Sequence, residues 1–209
     1  MFSDRILFII LKKGIFLINK PVFYDTDCLA CFLIIGECSI LIQMFSKIII
    51  TEPVHRELFN ESTPPIIKNN LRVLIGRGFV EVKEMSILSS VYHCYSYIEQ
   101  GLRSDNDTRI GKGEASVIAF AKENDGIVAS NNLFDVKEYT DKYNLSLITT
   151  PLILGKAVEN KLIDETKANS LWSKMLDRNM YLPDDSFSEY YSNNYEDDCD
   201  DFLKSNNIF

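Results

Sequence analysis

Four acidic residues that are far apart in the sequence have the types and positions that metal chemistry needs: Asp25, Glu57, Glu114 and Asp135. Each follows a predicted strand or lies near the start of a predicted helix. In an open parallel sheet, ligands bind at the carboxyl ends of the strands, so these carboxylates can converge there. Clustered carboxylates repel one another unless divalent cations neutralise them, and their hard oxygens select Mg²⁺ or Mn²⁺. The four acids therefore predict a site for one of these ions.

The elements that must position these acids are short strands that alternate with helices. Apolar or alternating segments predict strands at 21–24, 47–51, 79–83, 126–129 and 145–149. Helices are predicted as two short pieces within 27–45, then at 54–60, 65–76, 86–100, 114–124, 133–143, 152–161 and 165–177. The alternation predicts an α/β fold, a three-layer α/β/α sandwich around a central parallel sheet, with C-terminal helices and an acidic tail.

Length and charge limit the kinds of function. The chain has 209 residues, enough for one well-buried domain and an appendage. Its formal net charge is −8, which argues against tight, sequence-independent binding of duplex DNA, because that needs a basic field. The acidity belongs to a C-terminal tail that contains no Lys or Arg between its acids. These acids are Asp184, Asp185, Glu189, Glu196, Asp197, Asp198, Asp200 and Asp201.

The cysteines and histidines favour packing over metal or redox chemistry. Five cysteines, an odd number, in a chain long enough not to need disulfides favour reduced thiols and a cytoplasmic protein. Cys28 and Cys31 form a C-x-x-C pair in an apolar stretch, and we interpret them as small core residues rather than a redox or metal site. A zinc ribbon needs a second ligand pair at similar spacing, which His55 and His93 do not supply.

The first 18 residues differ from the rest of the chain. Their apolar run at 5–11 is cut by Lys12-Lys13-Gly14, so it predicts neither a transmembrane helix nor a secretory signal, and no membrane partner is expected. A leading strand and a translated ribosome-binding sequence before a natural start near Ile18 stay open as interpretations. The predicted organisation is a leading segment at 1–18, a main domain at 19–158, a helical extension at 159–183 and the acidic tail at 184–209.

Three short motifs are shared with a known enzyme family. An Asp-Thr follows the first strand in Phe23-Tyr24-Asp25-Thr26-Asp27, and Pro-Val and Glu-Leu stand at characteristic spacing within 51–58. Gly111-Lys112-Gly113-Glu114-Ala115 opens a helix. Over about residues 21–154 the chain resembles the PIN-domain ribonucleases, and particularly the VapC-like toxins of type II toxin–antitoxin systems. The resemblance implies a PIN-like sandwich whose acids hold Mg²⁺ or Mn²⁺ and act in catalysis.

The fourth motif of the family pattern differs in this chain. Ser130-Asn131-Asn132 stands where many relatives have Thr-x-Asp, and Asp135 follows three residues later. This arrangement also resembles a VapC-like variant. The resemblance then implies that Asn131 orients water or metal while Asp135 supplies the charge. Thr26, Asp27 and Asn132 are the other predicted supporting residues.

Each predicted ligand also has a purely structural interpretation. Asp25 and Asp27 both stand where a side chain can cap the following helix, and Asp27 is the better capping candidate. Glu57 can be an exposed helix residue without a function. Glu114 can simply favour its helix N-terminus through the helix dipole.

The resemblance implies a metal-dependent endoribonuclease that hydrolyses single-stranded RNA. Arg103, Arg109 and Lys112 are then either phosphate contacts or solvated loop charges. The implied partners are the RNA, an antitoxin protein if the chain is the toxin of a pair, and a second copy in a homodimer. Two other classes stay open: a PIN-fold binding protein that has lost catalysis, and a regulatory interaction protein whose acidic tail is the working part. For the tail itself, competition with RNA at the active cleft, contact with a basic partner and a merely solubilising role all stay open.

Overall fold

A parallel sheet lies at the centre of the computed structural model, which describes residues 20–45, 47–100 and 110–205. In this part of the chain the sheet has five strands in the order β3-β2-β1-β4-β5, all parallel to their neighbours. Phe23 of the central strand pairs with Ile49 on one side and with Val128 on the other. The strands are β1 (Val22–Tyr24), β2 (Ile48–Thr51), β3 (Val80–Lys83), β4 (Ile127–Ala129) and β5 (Ser146–Ile148).

Helices connect the strands and cover both faces of the sheet. This is the predicted three-layer α/β/α sandwich, and the fold prediction is confirmed. The central strands β1, β2 and β4 are buried along their whole length because both of their faces are covered. The helices are α1 (Thr26–Ile35), α2 (Ser39–Phe45), α3 (Glu52–Leu58), α4 (Pro65–Gly76), α5 (Ser90–Glu99), α6 (Lys112–Glu123), α7 (Leu133–Tyr143), α8 (Thr150–Glu159), α9 (Glu165–Leu176), α10 (Phe187–Asn193) and α11 (Tyr195–Ser205).

Two helices begin two residues earlier than the sequence predicts, for the same local reason. Thr51 ends β2, and its hydroxyl accepts a hydrogen bond from Val54 N, so α3 begins directly after the strand. Thr149 does the same for Leu152 N at the start of α8. In both cases a proline lies in the first turn, where its missing N–H costs nothing. By contrast, α5 begins later than predicted, because the cap is Ser89.

The C-terminal segment contains two helices for which no element is predicted above. Trp172 of α9 is fully buried, and its ring lies 6.0 Å from that of Phe187 and 5.7 Å from that of Tyr190, centre to centre. Its indole Nε1 donates to the carbonyl of Asp184. Helix α11 packs on α8 and β5 and buries Phe202. The acidic segment therefore completes the core through its aromatic residues.

The remaining sequence predictions concern the leading segment, two arginines, the cysteines and membrane-spanning helices. The leading segment 1–18, Arg103 and Arg109 lie outside the described residues. Cys28 and Cys31 are fully buried in α1, which agrees with their interpretation as core residues, and burial raises the pKa of the Cys31 thiol to about 12. Among the described helices, none combines the length and apolar character that crossing a bilayer requires.

Candidate active site

The predicted acids meet at the carboxyl ends of the central strands. A cavity of about 1260 Å³ lies there. Part of its polar lining comes from the start of α1, from α3, from the start of α6 and from the loop after β4. The residues that these elements contribute are Asp25, Thr26, Asp27, Glu57, Glu114, Asn131 and Asn132. Asp25, Glu57 and Glu114 thus converge as predicted, although up to 89 residues separate them along the chain.

Asp25 lies at the junction of β1 and α1 and is 1% exposed. It is the N-cap of α1, so the prediction that Asp27 is the better cap is wrong. Its Oδ1 accepts a hydrogen bond from Thr26 N at 2.7 Å, and its Oδ2 accepts one from the Ser130 hydroxyl at 3.0 Å. Burial, and then the charges of Asp27 and Glu114, raise the pKa of the Asp25 carboxyl well above its usual value.

Asp27 lies in the first turn of α1, accepts a hydrogen bond from Cys28 N at 2.5 Å, and also ties α1 to the loop after β4. Both of its carboxylate oxygens accept a hydrogen bond from Asn131 N, at 3.2 and 3.1 Å. Burial raises the pKa of Asp27, although the backbone N–H groups of Asn131 and Cys28 act in the opposite direction. Asp27 therefore adds a second carboxyl, partly buried, beside Asp25.

Glu57 joins α3 to the starts of two other helices. Its Oε2 accepts a hydrogen bond from the Thr26 hydroxyl, and its Oε1 accepts one from Gly113 N at 3.1 Å. A Cβ atom at Gly113 would lie 2.6 Å from Glu57 Oε2, so a larger residue would push the carboxylate away. The second glycine of the Gly-x-Gly-Glu motif is therefore explained by this close approach.

Glu114 lies in the first turn of α6 and faces the other acids. Its Oε1 accepts a hydrogen bond from Asn132 Nδ2 at 3.2 Å. The carboxylate folds back over Gly111, where any Cβ would collide with it. Burial is the main cause that raises the pKa of Glu114, and the charges of Glu57 and Asp27 add to it.

The two asparagines after β4 have different hydrogen-bond partners. Asn131 is bound to the start of α8, because its Oδ1 accepts from Thr150 N at 2.8 Å and its Nδ2 donates to Thr150 Oγ1 at 3.0 Å. Asn132 is the amide beside the acids, since its Nδ2 donates both to Glu114 and, at 2.7 Å, to Asp135 Oδ2. Asp135 is not part of the cavity lining and reaches the site through Asn132.

Ser130 is a site residue that the sequence reasoning missed. It is fully buried, donates to Asp25 and accepts a hydrogen bond from Asn132 N at 3.1 Å. A signal was available, because a hydroxyl residue directly after a strand lies at the ligand-binding edge of the sheet. Lys112, one of the predicted phosphate contacts, is exposed, lies 4.0 Å from Glu99 and does not line the cavity.

The donor chemistry of this cluster fits a divalent cation. No Lys or Arg of the described residues forms an ion pair with Asp25, Asp27, Glu57 or Glu114, so their charge is not neutralised from within that part of the chain. Within the same part, no three His, Cys, Asp or Glu side chains are placed to hold an ion by themselves. Carboxylate oxygens are the donors that Mg²⁺ takes from proteins, usually one or two at a time with several waters retained.

A comparison with protein families identifies the fold. A family model described as a PIN domain matches residues 21–194, most of the chain. The chain belongs to the PIN-domain family. PIN domains are generally nucleases, which are hydrolases, and PIN nucleases typically use divalent metals. A search of curated proteins gave no match. The matched range extends beyond β5 through α10, so it covers Trp172 and the aromatic residues that pack on it.

Proposed function

We propose that this PIN-domain protein is an endoribonuclease that hydrolyses phosphodiesters of single-stranded RNA and depends on Mg²⁺ or Mn²⁺. The observation that carries the proposal is the cluster of Asp25, Asp27 and Glu114, three carboxyl groups with raised pKa values in one cavity. Mutual repulsion and burial make such a cluster unfavourable by itself, so a bound cation would relieve it. Catalytic sites are where such arrangements concentrate.

Asp25 and Glu114 are the residues that would hold the metal. When bound, the ion supplies a water of lowered pKa and a positive charge for the phosphodiester oxygens. Asp25 is fixed by two donors, Thr26 N and the Ser130 hydroxyl, so its carboxylate is oriented before any ligand arrives. Asn132 fixes Glu114 in the same way and connects it to Asp135. Asp135 therefore positions Asn132 and adds negative charge at a greater distance from the cavity.

Glu57 and Asp27 keep the parts of the site together. Glu57 connects Thr26 at the start of α1 with Gly113 at the start of α6. Asp27 connects α1 with the loop after β4. Because both carboxylates accept hydrogen bonds from other elements, their loss would displace the groups that carry Asp25 and Glu114.

A finer proposal concerns the biological role. The motifs around Asp25, Glu57 and Glu114 support a VapC-like toxin, with an antitoxin protein as partner and cytoplasmic RNA as substrate. Expression of the wild-type chain should then arrest growth of a bacterial host, and expression of Asp25→Asn should not. Equal growth with both chains would count against the toxin role and leave the nuclease proposal standing.

The nuclease proposal is tested by cleavage of a fluorescent single-stranded RNA with Mn²⁺. Asp25→Asn should lower kcat/KM at least 100-fold, about 2.7 kcal/mol, because it removes a charge from the metal site. Removal of Mn²⁺ with a chelator should abolish cleavage by the wild type. Asp177→Asn, a matched change at an exposed residue outside the cavity, should leave cleavage unchanged.

The same experiment separates the enzyme from the alternative class. If the wild type binds the RNA but cleaves it no faster than Asp25→Asn does, the protein is a PIN-fold binding protein that has lost catalysis. Cleavage that does not need a divalent metal would contradict the proposed mechanism.

A further inference from the structure

The cavity that holds the acids continues over a second surface that the proposed chemistry does not use. Besides the acids, its lining includes Leu133 and Phe134 in the first turn of α7. It also includes Met180 and Tyr181 in the loop that follows α9. Phe134 is separated from Asn132, which donates to Glu114, by a single residue. Apolar side chains from two separate elements thus line the same cavity as the candidate metal ligands.

Two aromatic residues of this lining are more than half exposed. Phe134 is 68% exposed and Tyr181 is 81% exposed, whereas Tyr190 in the same lining is 1% exposed. Single exposed aromatic residues are common on protein surfaces. Two of them in one cavity with a carboxylate cluster are better explained by a ligand that has flat, apolar faces.

The charge of the cavity indicates how such a ligand is held. Among its described lining residues, Lys137 and Lys204 are the basic ones, and Lys204 lies 3.6 Å from Asp201. Acidic side chains outnumber them, so phosphate contacts within the described lining cannot supply most of the affinity for a nucleic acid. Stacking of bases on aromatic side chains does not depend on charge and is available only when the bases are unpaired.

We propose that Tyr181 and Phe134 are nucleobase-stacking residues that hold unpaired bases of the RNA while its backbone lies at the acids. The inference rests on the proposed function, because it gives the same cavity a substrate-binding part. It explains why a protein with a net charge of −8 would bind single-stranded rather than duplex RNA. Stacking is tolerant of sequence, so these residues set the strandedness of the substrate more than its base order.

The test compares ring removal with ring retention in cleavage of a short single-stranded RNA. Tyr181→Ala should raise KM at least about fivefold, the lower end of what stacking of one base supplies, with kcat within about twofold. Tyr181→Phe keeps the ring and should match the wild type. Phe134→Ala should raise KM similarly. Tyr97→Ala, a change at another exposed ring that does not line the cavity, is the control and should have no effect.

A second arm locates the contact on the RNA. Bases of the RNA are replaced one at a time by abasic sites, and KM is measured with wild type and Tyr181→Ala. At one abasic position, the KM of the wild type should rise by the same factor as Tyr181→Ala raises it. The same abasic RNA should cause no further rise in the KM of Tyr181→Ala. Additive losses at every position would show that Tyr181 stacks on none of these bases and would overturn its assignment.

The remaining outcomes are equally decisive. If Tyr181→Ala and Phe134→Ala both keep the wild-type KM while the wild type cleaves in a Mn²⁺-dependent way, the stacking inference is wrong and the nuclease proposal stands. If Tyr181→Phe is as weak as Tyr181→Ala, the phenolic hydroxyl is responsible and not the ring. If the wild type cleaves no RNA at all, the proposed function fails and the inference falls with it.

Discussion

The acids at the carboxyl ends of the strands and the acids of α11 carry the same charges in opposite surroundings. Asp25 is almost fully buried, Asp27 and Glu114 lie beside it, and burial raises the pKa of all three. Glu196 and Asp200 of α11 are exposed, and the apolar side of that helix buries Phe202 against the core. In the first region the fold holds the charges together; in the second it leaves Glu196 and Asp200 in water, while Asp198 accepts a hydrogen bond from the Tyr190 hydroxyl.

The difference shows what each acidic cluster does for the protein. Exposed charges on a helix cost little, so α11 can be both acidic and part of the folded core. Buried, mutually repelling carboxylates reduce stability and persist where function requires them. Charge content alone therefore does not identify a site: the tail has more acids, but the acids at the strand ends are the ones that the fold gathers at one edge of the sheet.

The largest expected effect tests whether the C-terminal region is part of the core. Trp172→Ala should lower the free energy of unfolding by about 3–5 kcal/mol, because the change leaves a large cavity between Phe187 and Tyr190. Urea denaturation gives this value. Tyr97→Ala, at an exposed ring, serves as the control and should stay within about 0.5 kcal/mol of wild type. An unchanged urea midpoint in Trp172→Ala would mean that α9 and α10 unfold separately from the sheet.

The next effect tests whether the acids at the strand ends bind metal and those of α11 do not. Glu114→Gln should weaken Mn²⁺ binding at least tenfold, about 1.4 kcal/mol, because the amide lacks the charge that the cation neutralises. Isothermal titration calorimetry measures the affinity. Glu196→Gln makes the same change on exposed α11 and should leave the affinity as it is. Equal affinities in all three proteins would remove Glu114 from the site.

A third prediction uses the repulsion within the buried cluster. Without metal, Asp25→Asn should raise the free energy of unfolding by about 1 kcal/mol at neutral pH, the usual size of one stabilising substitution. The asparagine can still accept from Thr26 N and donate to the Ser130 hydroxyl, but it no longer repels Asp27 and Glu114.

The gain in stability from Asp25→Asn should depend on pH, and the direction of that dependence follows from the raised pKa of Asp25. A carboxyl whose pKa is raised by folding stabilises the protein below its ordinary pKa, 3.8 for Asp25, and this stability is lost as the pH rises through the raised pKa. The advantage of Asp25→Asn should therefore disappear when melting is measured below pH 3.8. A variant less stable than wild type at pH 7 in the presence of a chelator would contradict the repulsion argument.

The smallest effect tests whether the tail acids interfere with RNA. Asp198 and Asp201 line the cavity, and Asp197 and Asp200 do not. Asp198→Asn with Asp201→Asn should lower KM for RNA about two- to threefold at low salt, because exposed charge interactions are worth about 0.2–1 kcal/mol. The effect should fade in high salt. Asp197→Asn with Asp200→Asn is the matched control, and identical KM values for both pairs would leave the tail a solubilising role only.

The sequence predicted the main positions of the candidate site because its signals are local. Each acid follows a strand or opens a helix, and parallel strands bring their carboxyl ends to one edge, so the meeting of Asp25, Glu57 and Glu114 needed no knowledge of the packing. The strands and most helices were predicted for the same reason. Apolar runs, threonine and serine caps and prolines act within a few residues of themselves.

The division of roles after β4 could not be predicted. Asn131 and Asn132 are neighbours of the same type, and only the packing of α8 against the loop decides that Asn131 binds Thr150 while Asn132 reaches Glu114. The N-cap of α1 was wrongly predicted because Asp25 and Asp27 both suit a helix start. In the structure Asp25 is the N-cap of α1, and the carboxylate of Asp27 accepts a hydrogen bond from Asn131 N.

The sequence by itself determined the alternation of strands and helices, the acids at their junctions and the neutral body with its acidic end. The tertiary structure decided that Ser130 donates to Asp25 across 105 residues, that the acidic end joins the core through Trp172, Phe187 and Tyr190, and that Tyr181 lines the cavity of the acids. Periodicity and capping depend on residues that are close together in the sequence, so the sequence alone predicts them. Contacts over such separations depend on strand order and helix packing, which exist only once the whole chain is folded.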